Sequence, residues 1–107
     1  MADADFFVRR KPYATEQLTV STAVVSPTVA KVDNTGALFN FKATAADVEV
    51  GSNGIIYTLD GSTPTSTNGM TLASAKLTLA GYQKVKALKM IRSGGSDATV
   101  NLTYYKE

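Results

Sequence analysis

The sequence predicts an all-β domain, an antiparallel sandwich or small barrel of about seven or eight short strands, preceded by an extended N-terminal arm. Apolar residues recur with period two in segment after segment. Turn-forming residues separate these segments at intervals of roughly ten positions, the spacing of short antiparallel strands. The opening stretch fits neither a strand nor a helix period.

In that opening stretch Phe6, Phe7 and Val8 are adjacent apolar residues, followed at once by Arg9, Arg10, Lys11 and Pro12. Proline has no N–H to give to a ladder and favours an extended residue before it. Residues 1–16 therefore read as an arm and residues 17–107 as a single β domain. An apolar pair on an arm must be buried somewhere. Phe6 and Phe7 either cover an open end of the core or meet a partner, and with Arg9 and Arg10 they form the candidate partner-binding set.

Over residues 17–25, Leu18, Val20 and Val24 oppose Thr19 and Ser21. Phe39, Phe41 and Ala43 alternate with Leu38, Asn40 and Lys42. Val48 and Val50 alternate with Asp47 and Glu49, though one helical turn over residues 44–47 competes at the start of that run. Ile55, Tyr57 and Leu59 oppose Ile56, Thr58 and Asp60; Leu77 and Leu79 alternate with Lys76, Thr78 and Ala80. Val100, Leu102 and Tyr104 close the series against Asn101, Thr103 and Tyr105. Tyr104 and Tyr105 thus point to opposite faces, one to the core and one to the surface. Residues 83–92 are less regular: Lys84 and Lys86 share a face that Leu88 and Met90 then take over. A strand with a β-bulge near Ala87 explains the slip, because one extra residue reverses side-chain phase. A short helix with a Val85, Leu88 and Met90 stripe is the competing reading.

Composition narrows function by exclusion. The 107 residues include no His and no Cys, which removes the commonest general base, thiolate chemistry, disulfides and the commonest metal ligands. Eleven basic residues against nine acidic ones leave a net charge of +2, too little for a whole-molecule field that would drive nucleic-acid binding. No apolar run is long enough to cross a bilayer, and the first residues lack the basic-then-apolar order of a secretory signal. The expectation is a non-enzymatic binding protein with no cofactor, no metal, no nucleic-acid ligand and no membrane segment.

The most distinctive segment runs from Gly54 to Thr65. Asp60 can accept hydrogen bonds from amides just after it, Gly61 can supply positive φ, and Thr63 is held extended by Pro64. Asp60, Gly61 and Pro64 therefore read as a structural turn. A calcium or sugar site on Asp60 is the alternative, but one carboxylate falls short of the six or more oxygens that calcium takes. Lys84, Lys86 and Lys89, with Arg92 and Lys76, form a candidate basic patch whose ordinary reading is a solvated strand face. Asp47 and Glu49 have the spacing of a carboxylate pair, yet they alternate with Val48 and Val50 as exposed residues do.

Two resemblances add to this. The segment Tyr57-Thr-Leu-Asp-Gly-Ser-Thr-Pro-Thr65 resembles the Y-T-x-D-G-S-x-P-T signature of the chitobiase C-terminal-like module, an immunoglobulin-like β-sandwich appended to many carbohydrate-active enzymes. That likeness implies a carbohydrate-binding accessory module, although the chain has no Trp and its five tyrosines are scattered. The second covers more of the chain. Residues 10–22, the turn, and residues 85–104 are similar, in that order, to blocks of small tailed-bacteriophage virion proteins. Ser62 and Thr63 stand where those proteins vary, and the histidine some carry after Pro-Thr is missing. The expected sandwich or barrel is immunoglobulin-like or jelly-roll-like. This resemblance implies for it a capsid decoration or cement role, with a head–tail junction or tail position as the alternative. It also implies the major capsid protein or other virion proteins as partners, self-association (a trimer about a capsid axis being one form), and a virion location after assembly in the bacterial cytoplasm.

Overall fold

A computed structural model describes residues 11–33 and 42–106. Among them, seven strands and two short helices follow in the order β1 (Lys11–Val20), α1 (Val29–Val32), β2 (Ala45–Val50), β3 (Ile55–Thr58), β4 (Met70–Leu72), β5 (Ala75–Ala80), α2 (Tyr82–Ala87), β6 (Lys89–Arg92) and β7 (Ala98–Lys106). The strands form a four-stranded sheet, β1-β7-β2-β5, and a three-stranded sheet, β4-β3-β6, every pairing antiparallel. The protein is a small all-β sandwich. No helix among the described residues is long and apolar enough to cross a membrane.

Alternation puts one face of each sheet in the core. Val20, Ala46, Val48, Val50, Leu79, Ala98, Val100, Leu102 and Tyr104 come from the larger sheet, and Ile55, Tyr57 and Met90 from the smaller. Val32 of α1, Ala43, Val85 of α2 and Leu88 just after α2 complete the cluster. Fully burying a Val or Leu side chain contributes roughly 1.5–3 kcal/mol, so this set is the main source of stability. Strand β3 is buried on both faces. The 59–69 loop returns against its outer side, where a Cβ at Gly69 would fall 2.6 Å from Ile56 Cγ2.

Several sequence expectations need correction. Residues 11–16 are not arm: they form the first half of β1 and pair with β7 from Lys11↔Lys106 onward. Pro12 is accommodated because it stands near the start of an edge strand, where a missing N–H costs little, and a register shift between Pro12 and Ala14 re-phases the strand. Residues 1–10 lie outside the described residues, and so does most of the alternating stretch around Phe39 and Phe41.

The strand expected over residues 17–25 ends at Val20, and Val24 is 44% exposed. There the chain leaves the larger sheet for the smaller. The Ser21 carbonyl accepts from the Arg92 N–H at 2.9 Å, and Val25 forms an isolated bridge with Met90. At residues 44–47 strand prevails over the helical turn. At residues 83–92 the bulged strand is overturned: α2 ends at Ala87 and β6 begins at Lys89. The change of phase between Lys86 and Leu88 is thus a change of element, with Val85 buried from within the helix and Leu88 from the non-helical residue that follows it.

Candidate functional site

The turn after β3 is held by its own side chains. The Ser62 N–H and hydroxyl both donate to Asp60 Oδ1, at 3.0 and 2.6 Å. Gly61 takes φ +87°, a conformation costly for any residue with a Cβ. The Thr58 hydroxyl donates to the Ser62 carbonyl at 2.6 Å, and Lys89 Nζ donates to the Gly61 carbonyl at 2.9 Å. Asn68 Nδ2 reaches the Thr63 carbonyl at 3.1 Å, and Pro64 beside it is buried. Hydrogen bonds from Ser62 hold the Asp60 carboxyl below the usual range, so it is an anion at neutral pH. A cavity of about 310 Å³ opens beside the turn, lined by Tyr57, Thr58, Leu59, Asp60, Asn68 and Met70. Among the described residues no three Asp or Glu side chains gather as metal ligands would.

A second constellation lies between β1 and α1. The Glu16 side chain stands in the apolar phase of β1, between Ala14 and Leu18, which face Tyr104 and Val100 across the ladder. Tyr104 donates its hydroxyl to Glu16, and Thr28 donates both its hydroxyl, at 2.6 Å, and its N–H, at 3.1 Å. Burial raises the Glu16 pKa, but the bonds from Thr28 and Tyr104 outweigh it and hold the carboxyl below its ordinary value. The Tyr104 hydroxyl is pushed well up, first by burial and then by its bond to Glu16. Tyr13 donates to the Lys31 carbonyl, and its pKa rises to about 12 through burial and the Asp33 charge. The first described residues are therefore pinned to α1. Beside α1 lies a groove of about 220 Å³ lined by Pro27, Val29, Val32, Asp33, Tyr82 and Lys86, with Val29 78% exposed. Tyr82 donates to Asp33 at 2.8 Å, and the Lys42 ammonium sits 4.9 Å from the Tyr82 ring centroid.

The outer face of the larger sheet is polar in rows. Gln17, Asn101, Glu49 and Lys76 share one cross-strand row, and Thr15, Thr103, Asp47 and Thr78 the next. Asp47 accepts from the Thr78 and Tyr105 hydroxyls, each at 2.9 Å, while Glu49 is exposed. The carboxylate pair thus belongs to an open sheet face rather than a cleft. Tyr104 is fully buried and Tyr105 half-buried on the opposite face.

The expected partner residues Phe6, Phe7, Arg9 and Arg10 lie outside the described residues. The basic set does not share one strand face: Lys84 and Lys86 are on α2, Lys89 is bonded to the Asp60 turn, Arg92 is paired with Asp97 at 2.8 Å, and Lys76 is on the other sheet. Sequence reasoning passed over Glu16 and Thr28. The available signal was Tyr104, whose hydroxyl, in a core position, needs an acceptor. No protein family, curated protein or solved structure matches the chain.

Proposed function

We propose that this chain is a non-enzymatic structural protein of a bacteriophage virion, a decoration or cement protein that binds the outer shell through its N-terminal arm. One observation carries the reading: in the sequence an apolar pair and paired arginines directly precede an edge strand that is tied down by Tyr13 and Glu16. A rigid root of this kind lowers the entropy lost when an extension docks on a neighbour. The likeness of three ordered sequence blocks to small virion proteins supplies the context, with the major capsid protein as partner. Stable attachment needs roughly 1,200 Å² or more of total buried surface, and self-association would add avidity. A place at the head–tail junction or tail is the alternative within this reading, and copy number in the particle separates the two on symmetry grounds.

The test is deletion of residues 2–10, which spares β1. Occupancy on shells should fall while the β circular dichroism is retained. Unchanged occupancy would assign attachment to the folded domain and overturn the role of the arm. A carbohydrate-binding module is the second reading, favoured by the cavity beside the turn, where Asp60 and Asn68 meet a mostly apolar lining. It requires glycan-array binding that is lost on Asp60→Ala or Asn68→Ala.

A further inference from the structure

The two sheets have four edges, and three of them are guarded. β1 carries Lys11, Pro12 and a register shift. β6 is covered at Met90 and Arg92 by the chain at Val25 and Ser21. β4 is only three residues long. β5 differs: it is a regular six-residue strand paired residue for residue with β2, with no proline, no bulge and Lys76 as its one charge. Natural sheets blunt such edges because a row of free main-chain groups is a template for another strand.

The ladder shows which groups are free. The Gly51 N–H donates to the Thr99 carbonyl at 3.1 Å, and the Gly81 N–H to the Thr44 carbonyl at 2.8 Å. Antiparallel alternation then bonds Ala75, Leu77 and Leu79 inward to β2. Lys76, Thr78 and Ala80, all exposed, aim their N–H and C=O groups outward. Among the described residues no segment is paired along that side.

We infer that β5 pairs antiparallel with β5 of a second copy, about a two-fold axis through Leu77, joining the two four-stranded sheets edge to edge. The register follows from three constraints. Facing residues must lie on the same side of the sheet, which limits the axis to a residue rather than a gap between residues. With the axis at Leu77, Lys76 and Thr78 of the second copy exchange both ladder bonds, and the symmetry repeats them. Leu77, half-buried in the single chain, then covers its own counterpart in a non-hydrogen-bonded pair. Lys76 also comes to lie beside the Thr78–Asp47 pair of the second copy, so its ammonium extends towards a carboxylate, and the same happens in reverse. An axis at Thr78 would instead set Lys76 against Ala80 and forfeit this charge match. The inference does not rest on the virion reading: it concerns what the β5 edge binds, in any setting.

The test uses the full chain, which has no native cysteine, so a single introduced thiol reports alone. Facing residues of a non-hydrogen-bonded pair lie about 4.5 Å apart at Cα, within disulfide range. Leu77→Cys should therefore link into a covalent dimer of doubled mass under mild oxidation, and Thr19→Cys on β1 should not. By sedimentation the unmodified chain should pass from monomer to dimer as concentration rises. Thr78→Pro, which removes an outward N–H and no inward ladder bond, should remain monomeric with its β circular dichroism intact, whereas Thr78→Val, which removes only the hydroxyl bond to Asp47, should still dimerise. A chain that is monomeric at every concentration would overturn the proposal, as would failure of Leu77→Cys to link. A dimer that tolerates Thr78→Pro, or an edge filled only by strands of other proteins, would overturn it equally.

Discussion

The Tyr104 hydroxyl donates to the Glu16 carboxylate, so the buried strand β7 and the edge strand β1 are joined by a side-chain contact as well as by their ladder. Thr28, at the start of α1, completes the acceptor's partners. One carboxylate thereby fixes the edge strand and the crossing segment to the core.

That relationship is open to a double-mutant cycle. Tyr104→Phe and Glu16→Gln should each lower stability by about 1.5–3 kcal/mol, the range of a hydrogen bond to a charged group. The double variant should lose less than the sum, because both changes remove the same bond. Urea denaturation measures all three; strict additivity would show that the pair is not coupled.

Acid should weaken the fold through the same group. The folded pKa of Glu16 lies below its unfolded value, so its contribution is complete above the unfolded carboxylate range, about pH 4.3, and is lost as pH falls through the folded pKa. Glu16→Gln should therefore flatten the acid limb of Tm against pH. At the other end Tyr13, Tyr82 and Tyr104 have raised folded pKa values, so their contribution is complete below about pH 10 and fades as pH rises through the folded values. Tyrosinate absorbance should lag that of the urea-unfolded chain on titration.

Two glycines beside the turn should behave differently. Gly61 is at φ +87° with open space around a Cβ, so Gly61→Ala should cost about 1 kcal/mol of backbone strain. At Gly69, φ +131° combines with a Cβ position 2.6 Å from Ile56 Cγ2 and 3.0 Å from the Tyr57 carbonyl, so Gly69→Ala should cost more, about 2–3 kcal/mol. Chemical denaturation of both variants tests the ranking.

Leu88→Ala should cost about 2–5 kcal/mol through the cavity it leaves beneath α2. Val24→Ser, at an exposed site outside any strand, should stay within about 0.5 kcal/mol of the parent. Comparable losses at both sites would contradict the crossing of the chain between sheets after Val20.

Much of this fold could be read from residues whose period and environment agree. Val48, Leu79, Val100 and Leu102 alternate cleanly and all lie in the core. The sequence is silent where the reason is tertiary. Pro12 and the basic run before it point away from a strand over residues 11–16, and Glu16 adds a charge in the apolar phase of β1 that Tyr104 and Thr28, distant in sequence, satisfy. Val85 and Leu88 have helical spacing over too short a span to outweigh β-rich surroundings. Val24 continues an alternation that ends where Ser21 turns to the other sheet. The Asp60 turn was legible because its bonds are local, within two residues of the carboxylate.

The proposed role on a phage shell is decided by co-sedimentation of the purified chain with shells of its parent particle. Saturable binding at a fixed ratio to the major capsid protein is expected, weakened when residues 2–10 are removed. A chain that stays in the supernatant at every concentration would contradict it.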